Sequence, residues 1–213
     1  MATSTALSRA RIVDATVALL DAEGESGLTF RALAARLRTG PGAIYWHVAN
    51  KDELLAAAAD AVLAGAMTDN TGKAAPEEAI RALAEAVFDA IDAHPWIGTQ
   101  LPRVSSQPTT LGIFERIGRQ VQALGVPAKE QFTAASALLN YILGVAGQNA
   151  ANARAQEPGT SRTDVLAAAS ARLDPQRYPF VHTVAGQLRE HDDRDQFLAG
   201  VDLVLAGIGA RRA

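Results

Sequence analysis

Two short helical patterns meet at a glycine–proline break near the start of this chain, and no other stretch limits the fold as strongly. The first pattern opens at Thr29, whose hydroxyl can accept hydrogen bonds from the free backbone N–H groups of a first helical turn. The apolar residues after it have the spacing of one helix face: Phe30, Leu33, Ala34 and Leu37. Gly40 and Pro41 end the helix, because glycine accepts unusual dihedral angles and proline cannot continue the hydrogen-bond ladder. Pro41 also suits the first position of a new helix, so the stretch predicts two helices joined by a tight turn.

The second helix is predicted to be short and to run to about Val48. Ile44 and Val48 are four residues apart and should face inward onto the first helix, with Tyr45, Trp46 and His47 outward or to one side. Tyrosine, tryptophan and histidine together are unusual on a surface that contacts only water. Aromatic rings and hydroxyls suit contacts with thymine methyls and phosphate oxygens, so the pattern predicts a helix-turn-helix that inserts into DNA. The alternative is a small three-helix domain whose aromatic residues pack against later helices.

A third helix start follows directly. Asn50 and Glu53 have the spacing of a capping box. Lys51 would then be the first residue of the helix, where its ammonium group and the free N–H groups face a phosphate.

The stretch from about Ser8 to Leu55 resembles the DNA-binding domain of the tetracycline-repressor (TetR) family of bacterial transcription regulators. GLTFRALAARL resembles the family's second helix, and AIYWHVANKDELL resembles its recognition helix and the start of its fourth helix. The resemblance implies DNA contacts from Arg31, Tyr45, Trp46, His47 and Lys51. We add five neighbours to the predicted DNA-binding set: Thr29, Arg38, Pro41, Gly42 and Ala43. The Pro41–Ala43 turn departs from the more polar residues of the tetracycline repressors, so we expect weak base contacts there.

Charge and composition fit this expectation. The net charge is −3, but residues 1–51 carry six basic and four acidic residues, which leaves −5 for the remainder. A basic end on an acidic protein favours an approach of that end to DNA. The composition, with 48% apolar and only 5% aromatic residues, favours an all-α protein. The absence of cysteine excludes disulfides and thiolate metal sites. No apolar run approaches the roughly 20 residues of a membrane span and no signal-peptide pattern opens the chain, so we expect a cytoplasmic protein with no membrane partner.

The predicted organisation has three parts: a helix-turn-helix domain at 1–51, a connecting helix and linker at 52–75, and a helical ligand-binding and dimerisation domain at 76–213. Glycine at position 24 should end the first helix, which begins at Ser8. A long helix is predicted from Pro127 to about Ala155, and a final helix from about Asp192 to Ile208. The segment RYPFVHTVAGQLREHDDRDQFLAGVDLVLAGI resembles the C-terminal domain of tetracycline-repressor-like regulators.

The long helix and the final helix each carry an apolar arc wider than one stripe, which suggests contact on two sides. Two such helices from each subunit would form a four-helix homodimer interface. The residues predicted to form it are Leu138, Ile142, Val145, Phe197, Val201, Val204, Leu205 and Ile208. Glycines would let the helix axes approach closely: Gly144, Gly147, Gly200 and Gly207. The alternative is that both helices are central in one monomeric bundle.

A ligand cavity is predicted where polar amides interrupt an apolar helix near several aromatic residues, since pocket walls combine apolar surface with a few placed polar groups. The predicted set is Phe88, His94, Trp96, Phe114, Asn140, Tyr141, Gln148, Asn149, Tyr178 and Phe180. The alternative is that the amides face solvent and the aromatic residues belong to the core.

Other chemistry has little support in the sequence. None of the four histidines lies three or four residues from another, so we predict no metal site and no cofactor. No Ser/His/acid set indicates an enzyme. We therefore predict a homodimeric transcription regulator, most simply a repressor that binds a pseudo-palindromic operator and is released by a small-molecule inducer. The alternative is a helical small-molecule-binding protein or enzyme without operator binding.

Overall fold

The computed structural model describes residues 7–67, 74–101, 107–155 and 162–210, and the regular elements in these ranges are helical. The helices are α1 (Arg9–Gly27), α2 (Phe30–Leu37), α3 (Pro41–Tyr45), α4 (Lys51–Ala66), α5 (Pro76–Ala93), a 3-10 helix (Pro95–Thr99), α6 (Pro108–Ala123), α7 (Ala128–Ala155), α8 (Arg162–Ala171), α9 (Pro179–Thr183), α10 (Ala185–Glu190) and α11 (Asp193–Gly209). We call α1 to α3 with the start of α4 the head, and α5 to α11 the body. The predicted all-α fold is confirmed.

Side-chain caps fix several helix starts. The Thr29 hydroxyl accepts from the Ala32 N–H at 3.1 Å, and the Asn50 side chain accepts from the Glu53 N–H at 2.8 Å. The second half of the predicted capping box differs. The Glu53 carboxylate reaches the N–H of Ala49, not that of Asn50, at 2.8 Å. The bond still satisfies a free donor beside the helix start, so α4 begins where the sequence predicted.

Three predicted boundaries in the head are wrong by a few residues. Gly24 bends α1 at φ +67° without ending it, and helical turns continue to Gly27. Arg38 ends α2 in the left-handed conformation (φ 54°), and its N–H donates to the carbonyls of Ala34 and Ala35. This arrangement satisfies end-of-helix carbonyls before the glycine–proline break is reached. The third helix stops at Tyr45, before Val48.

The fourth helix joins the head to the body. Leu54 and Leu55 at its start are buried in the head core, and Leu63 is buried nearer its other end, where α4 packs on α5 and α6. The backbone N–H of Thr109 in α6 donates to the Asp60 carboxylate at 3.3 Å. These contacts join α4 to both parts of the chain. Of the connecting segment predicted at 52–75, residues 68–73 lie outside the described residues.

An aromatic stack lies between α5, α7 and α11. The Phe88 and Phe197 rings are 4.7 Å apart, and the Tyr141 and Phe197 rings 5.8 Å apart. The Tyr141 hydroxyl donates to the Phe197 carbonyl at 3.1 Å, and burial raises the pKa of Tyr141. Gly200 faces this ring so closely that a Cβ there would collide with the phenol. The stack therefore fills the space between the three helices.

The residues predicted to form the dimer interface lie in or against the chain's own core instead. Leu138, Ile142, Phe197, Val201, Leu205 and Ile208 are buried within the single chain, and Val145 and Val204 pack partly buried against the same core. The wide apolar arcs therefore arise because both helices are central in one bundle. Gly147 and Gly200 permit close contacts inside it, with Leu101 and Tyr141.

The segment of α8, α9 and α10, residues 162–190, packs mainly on itself. The His182 Nε2 lies 2.9 Å from the Leu173 carbonyl oxygen, which ties α9 to the turn after α8. Among the described residues of this segment, no apolar side chain joins the core that unites the rest of the chain. Val165, Tyr178 and Phe180 are exposed on it.

Candidate nucleic-acid interface

The geometry of α3 follows from two buried anchors. Ile44 and Val48 are almost fully buried, and they pack in the core that also holds Leu33 of α2. With those side chains inward, the remaining face of α3 and the turn after it point outward. Trp46 is 90% exposed, more than any other large apolar side chain that the structure describes. A rigid support therefore presents a large apolar ring to the outside.

Tyr45 combines support with exposure. Its ring stacks on Phe30 of α2, with centroids 4.2 Å apart and an interplanar angle of 8°, yet 54% of its surface is accessible. The stack fixes the phenol against the helix pair. His47, two residues further along the chain, is half-buried. Tyr45, Trp46 and His47 thus form one surface at the end of α3, which we call the aromatic face.

The other predicted DNA-contacting residues lie around it. Those that are exposed are Thr29, Arg31, Arg38, Pro41 and Gly42, while Ala43 is half-buried. The Thr29 hydroxyl accepts a backbone hydrogen bond at the cap of α2 and keeps a hydrogen of its own to donate.

Lys51 is already engaged within the head. Its Nζ donates to the backbone carbonyl of Glu25 at 2.6 Å. An ammonium group carries three hydrogens, so two remain for a phosphate. The bond to Glu25 fixes the ammonium group at the N-terminus of α4, where the free N–H groups also favour an anion.

A cross-brace holds the end of the aromatic face. Arg9 donates to the His47 carbonyl oxygen at 2.7 Å and to the Glu53 carboxylate at 2.8 Å. The Glu53 carboxylate also accepts from the Ala49 N–H, and these bonds lower its pKa, with the Ala49 hydrogen bond as the largest cause, followed by Arg9. The brace joins the starts of α1 and α4 to the turn that follows α3.

The residues predicted to line a ligand cavity are distributed over five places. Phe88 and Tyr141 belong to the aromatic stack. His94 and Trp96 both bond to Asp21 of α1. Asn140 and Gln148 are exposed on α7, and Asn149 is half-buried there, while Tyr178 and Phe180 lie on the 162–190 segment. The described structure therefore does not bring the ten residues together around one cavity.

The fifth place is an open groove between α6 and α7. Phe114 lies there with Phe132, their rings 6.2 Å apart and edge to face, and Phe132 is 74% exposed. Gln122 and Gln131 add amides to the wall of this groove, which encloses about 300 Å³. An apolar wall with a few polar groups is the usual lining of a small-molecule site.

Within residues 7–67, 74–101, 107–155 and 162–210, no three His, Asp or Glu side chains come together as metal ligands. The helices within these ranges also include none that is both long and apolar enough to cross a bilayer.

Family comparison decides the identity. Residues 12–58 match the family described as bacterial regulatory proteins, tetR family, and residues 70–212 match the tetracyclin repressor-like C-terminal domain. The chain belongs to the TetR family. Its head coincides with the first match and its body with the second.

Solved structures of TetR-family proteins agree over nearly the whole length. The transcriptional regulator SCO7222 of Streptomyces coelicolor is 54% identical, with a TM-score of 0.83 over 98% of this chain and 100% of that one. BioQ of Mycobacterium smegmatis has also been solved with its natural double-stranded DNA operator, in a structure 28% identical with a TM-score of 0.67 over 96% and 99%. ActR of Streptomyces coelicolor, solved with actinorhodin, is 25% identical with a TM-score of 0.78 over 97% and 98%. Among curated relatives, a transcriptional regulator of Saccharopolyspora erythraea is 31% identical over 72% of this chain and 66% of its own length. The repressor DrrR1 of Streptomyces coeruleorubidus is 29% identical over 64% of this chain and 51% of its own length. The chain therefore spans about half to two thirds of the length of these relatives.

Sequence reasoning missed three features of this TetR-family head and body. Arg9 is joined to Glu53 across 44 positions, and Asp21 is joined to His94 across 73. Separations of that size leave no local pattern to read. The third feature is the exposed ring of Phe132, which contacts Phe114 of α6. This contact depends on where α6 lies, which helix periodicity does not specify.

Proposed function

We propose that this TetR-family protein is a ligand-responsive transcriptional repressor that binds a pseudo-palindromic operator as a homodimer. One observation carries the proposal: the aromatic face is exposed on a helix whose opposite side is locked into the head core. Exposed aromatic side chains on a rigid element favour binding over packing. The operator complex of BioQ supports the use of the head for DNA, and the actinorhodin complex of ActR supports a small-molecule effector for the body.

In this proposal Tyr45, Trp46 and His47 enter the major groove, and Arg31, Arg38 and Lys51 contact phosphates. Base contacts supply the sequence preference, while phosphate contacts supply affinity that falls with salt. Thr29, Pro41, Gly42 and Ala43 complete the surface beside the groove. Two heads reach two half-sites when they are about 34 Å apart.

The homodimer would form on the outer faces of α7 and α11 and not on the residues predicted from sequence. Ala137, Asn140 and Gly144 are exposed along one line of α7, and Leu203, which is 76% exposed, lies with Gly207 on α11. Among the described residues, nothing lies within 4 Å of a Cβ built at either of these two glycines, so the helices of a second copy could approach closely. A four-helix arrangement buries this face in both copies.

For the effector we propose the groove between α6 and α7. It combines the Phe114 and Phe132 rings with two glutamine amides and the Glu115–Arg119 ion pair, which suits an aromatic molecule that carries polar groups. The effector would release DNA only to the extent that it binds the non-operator conformation more tightly.

The deciding experiment selects operators from random-sequence duplexes with the purified protein and then measures affinity by fluorescence anisotropy. We expect an inverted-repeat site bound by two chains, with affinity that falls steeply as salt rises. A compound screen for release of that complex follows, with Phe132→Ala as the variant that should resist release. Selection that enriches no sequence from a folded protein would overturn the proposal.

A further inference from the structure

The body contacts the head through side chains of α1 as well as through α4, and the shortest of these contacts involve one carboxylate. Oδ1 of Asp21, on α1, lies 2.7 Å from Nδ1 of His94 and 2.7 Å from Nε1 of Trp96. A carboxylate only accepts hydrogen bonds, so the indole N–H and the imidazole Nδ1–H are the donors. The Trp96 side chain is buried, and a buried indole N–H needs such a partner. Asp21 therefore receives two bonds from the body on the same oxygen.

Its two partners are firmly anchored in the body. They flank the start of the 3-10 helix, which packs along α7. Gly98 lies so close to α7 that a Cβ there would be 3.0 Å from the Gly147 carbonyl oxygen. Ile97 is fully buried beside it. A shift of α7 would therefore move the two donors of Asp21.

On the head side, α1 is joined to the DNA-contacting elements at both ends. Arg9 at its start bonds to the His47 carbonyl oxygen, and Glu25 near its end accepts from Lys51 through its backbone carbonyl. The Glu25 carboxylate is also 3.5 Å from the amide nitrogen of buried Gln100 in the body. The first helix thus connects the body to the aromatic face and to the phosphate-binding lysine.

We propose that Asp21 is a positioning residue for DNA binding: its carboxylate, held by His94 and Trp96, fixes the orientation of the head on the body. In the homodimer proposed above, on which this inference rests, that orientation sets the distance between the two recognition helices. A head that is free to turn would accept operators of several spacings, and a fixed head accepts one.

The test measures affinity for the selected operator and for derivatives whose centre is lengthened or shortened by one and two base pairs. We expect wild-type protein to lose affinity by about 10-fold or more on the altered spacings, a size typical of coupling between distant sites. Asp21→Ala should bind the native spacing about 10-fold more weakly and distinguish the spacings by less than about 3-fold. Asp21→Asn should keep most of the preference, because its amide oxygen still accepts from both donors.

Trp96→Phe removes the N–H donor and keeps a buried ring, so it should reduce the spacing preference even if Asp21→Ala fails to fold. The matched control is Asp202→Ala, which breaks a carboxylate–arginine pair with Arg81 inside the body and should leave the preference unchanged. Thermal unfolding confirms that each variant is folded.

The possible results separate the two proposals. If wild-type protein discriminates spacings while folded Trp96→Phe and Asp21→Ala discriminate them equally well, Asp21 has no positioning role and the repressor proposal stands. If wild-type protein binds an operator as a dimer but without spacing preference, this inference is overturned and the homodimer stands. If wild-type protein binds an operator as a monomer, both the homodimer and this inference are overturned.

Discussion

The head and the body each carry a cluster of aromatic side chains, and the two clusters differ in exposure to solvent. In the head, Trp46 is 90% exposed beside Tyr45, while in the body Phe88 and Phe197 are buried and Phe197 stacks on both Phe88 and Tyr141. Burial of the body cluster stabilises the fold through apolar area removed from water. Exposure of the head cluster costs that stabilisation and is explained by a partner that covers the rings. Aromatic residues therefore stabilise the fold in the body, and we propose that they bind DNA in the head.

The largest expected effect is on stability and falls in the body. Phe197→Ala removes a ring that is 1% exposed and packed between two other rings. We expect the free energy of unfolding to fall by about 3–5 kcal/mol, the usual cost of deleting a buried phenylalanine. Urea denaturation at fixed protein concentration measures it.

The matched control is Phe180→Ala, which truncates the same residue type where it is 74% exposed. Its effect should stay within about 0.5 kcal/mol. If both variants lowered the free energy of unfolding equally, burial would not explain the contribution of Phe197 to stability.

The next effect is on DNA and falls in the head. Trp46→Ala should weaken binding to the selected operator by about 1–3 kcal/mol, comparable to the loss of a specific base contact, while binding to unrelated DNA changes little. Unfolding should be nearly unchanged, because the ring contributes little to the core. Anisotropy titrations on both DNAs, with His47→Ala beside them, measure this.

Leu111→Ala is the control, since it truncates an exposed apolar side chain on α6, away from the aromatic face. A Trp46→Ala protein that keeps full operator specificity would remove the aromatic face from the interface.

The contrast also shows what sequence can predict. The anchors Ile44 and Val48 and the caps at Thr29 and Asn50 follow from local spacing and hydrogen-bond chemistry, and they are confirmed. Because the head is small and locally connected, knowing which residues face inward nearly specifies which face outward. The end of α2 at Arg38 was missed, because a left-handed arginine has no local signature.

In the body, periodicity identifies α7 and α11 but not which of their faces meets the rest of the chain. Leu138 and Ile142 were predicted to contact a second copy and are buried within the first. A wide apolar arc on a helix indicates that those side chains are buried, but it does not indicate whether the same chain or a second copy buries them. Likewise, the contacts of His94 and Trp96 depend on Asp21, more than 70 positions away, and no pattern near either residue indicates them.

A smaller effect concerns affinity without sequence preference. Lys51→Ala should weaken all DNA binding to a similar extent and reduce the slope of log affinity against log salt by about one. The remaining question is whether its bond to the Glu25 carbonyl is structural or only orients the ammonium group. Lys51→Gln separates these possibilities, because an amide can donate to that carbonyl without carrying charge. If Lys51→Gln restores the wild-type slope, the charge does not contact a phosphate.

The smallest effect concerns the brace beneath the aromatic face and depends on pH. The Ala49 N–H and Arg9 hold the pKa of Glu53 below its ordinary value of 4.5. A carboxylate with a lowered pKa in the folded state stabilises the protein above its unfolded pKa, and that contribution is lost as pH falls through the folded pKa. Wild-type stability should therefore decline more than that of Glu53→Gln between pH 6 and about pH 3, by no more than about 1 kcal/mol because the pair is partly exposed.

Arg9→Ala, which leaves the Ala49 bond in place, should retain most of this pH dependence, since the backbone hydrogen bond is the larger cause. Urea midpoints across that pH range measure all three proteins, and parallel curves for wild type and Glu53→Gln would show that the ionised Glu53 carboxylate does not stabilise the fold.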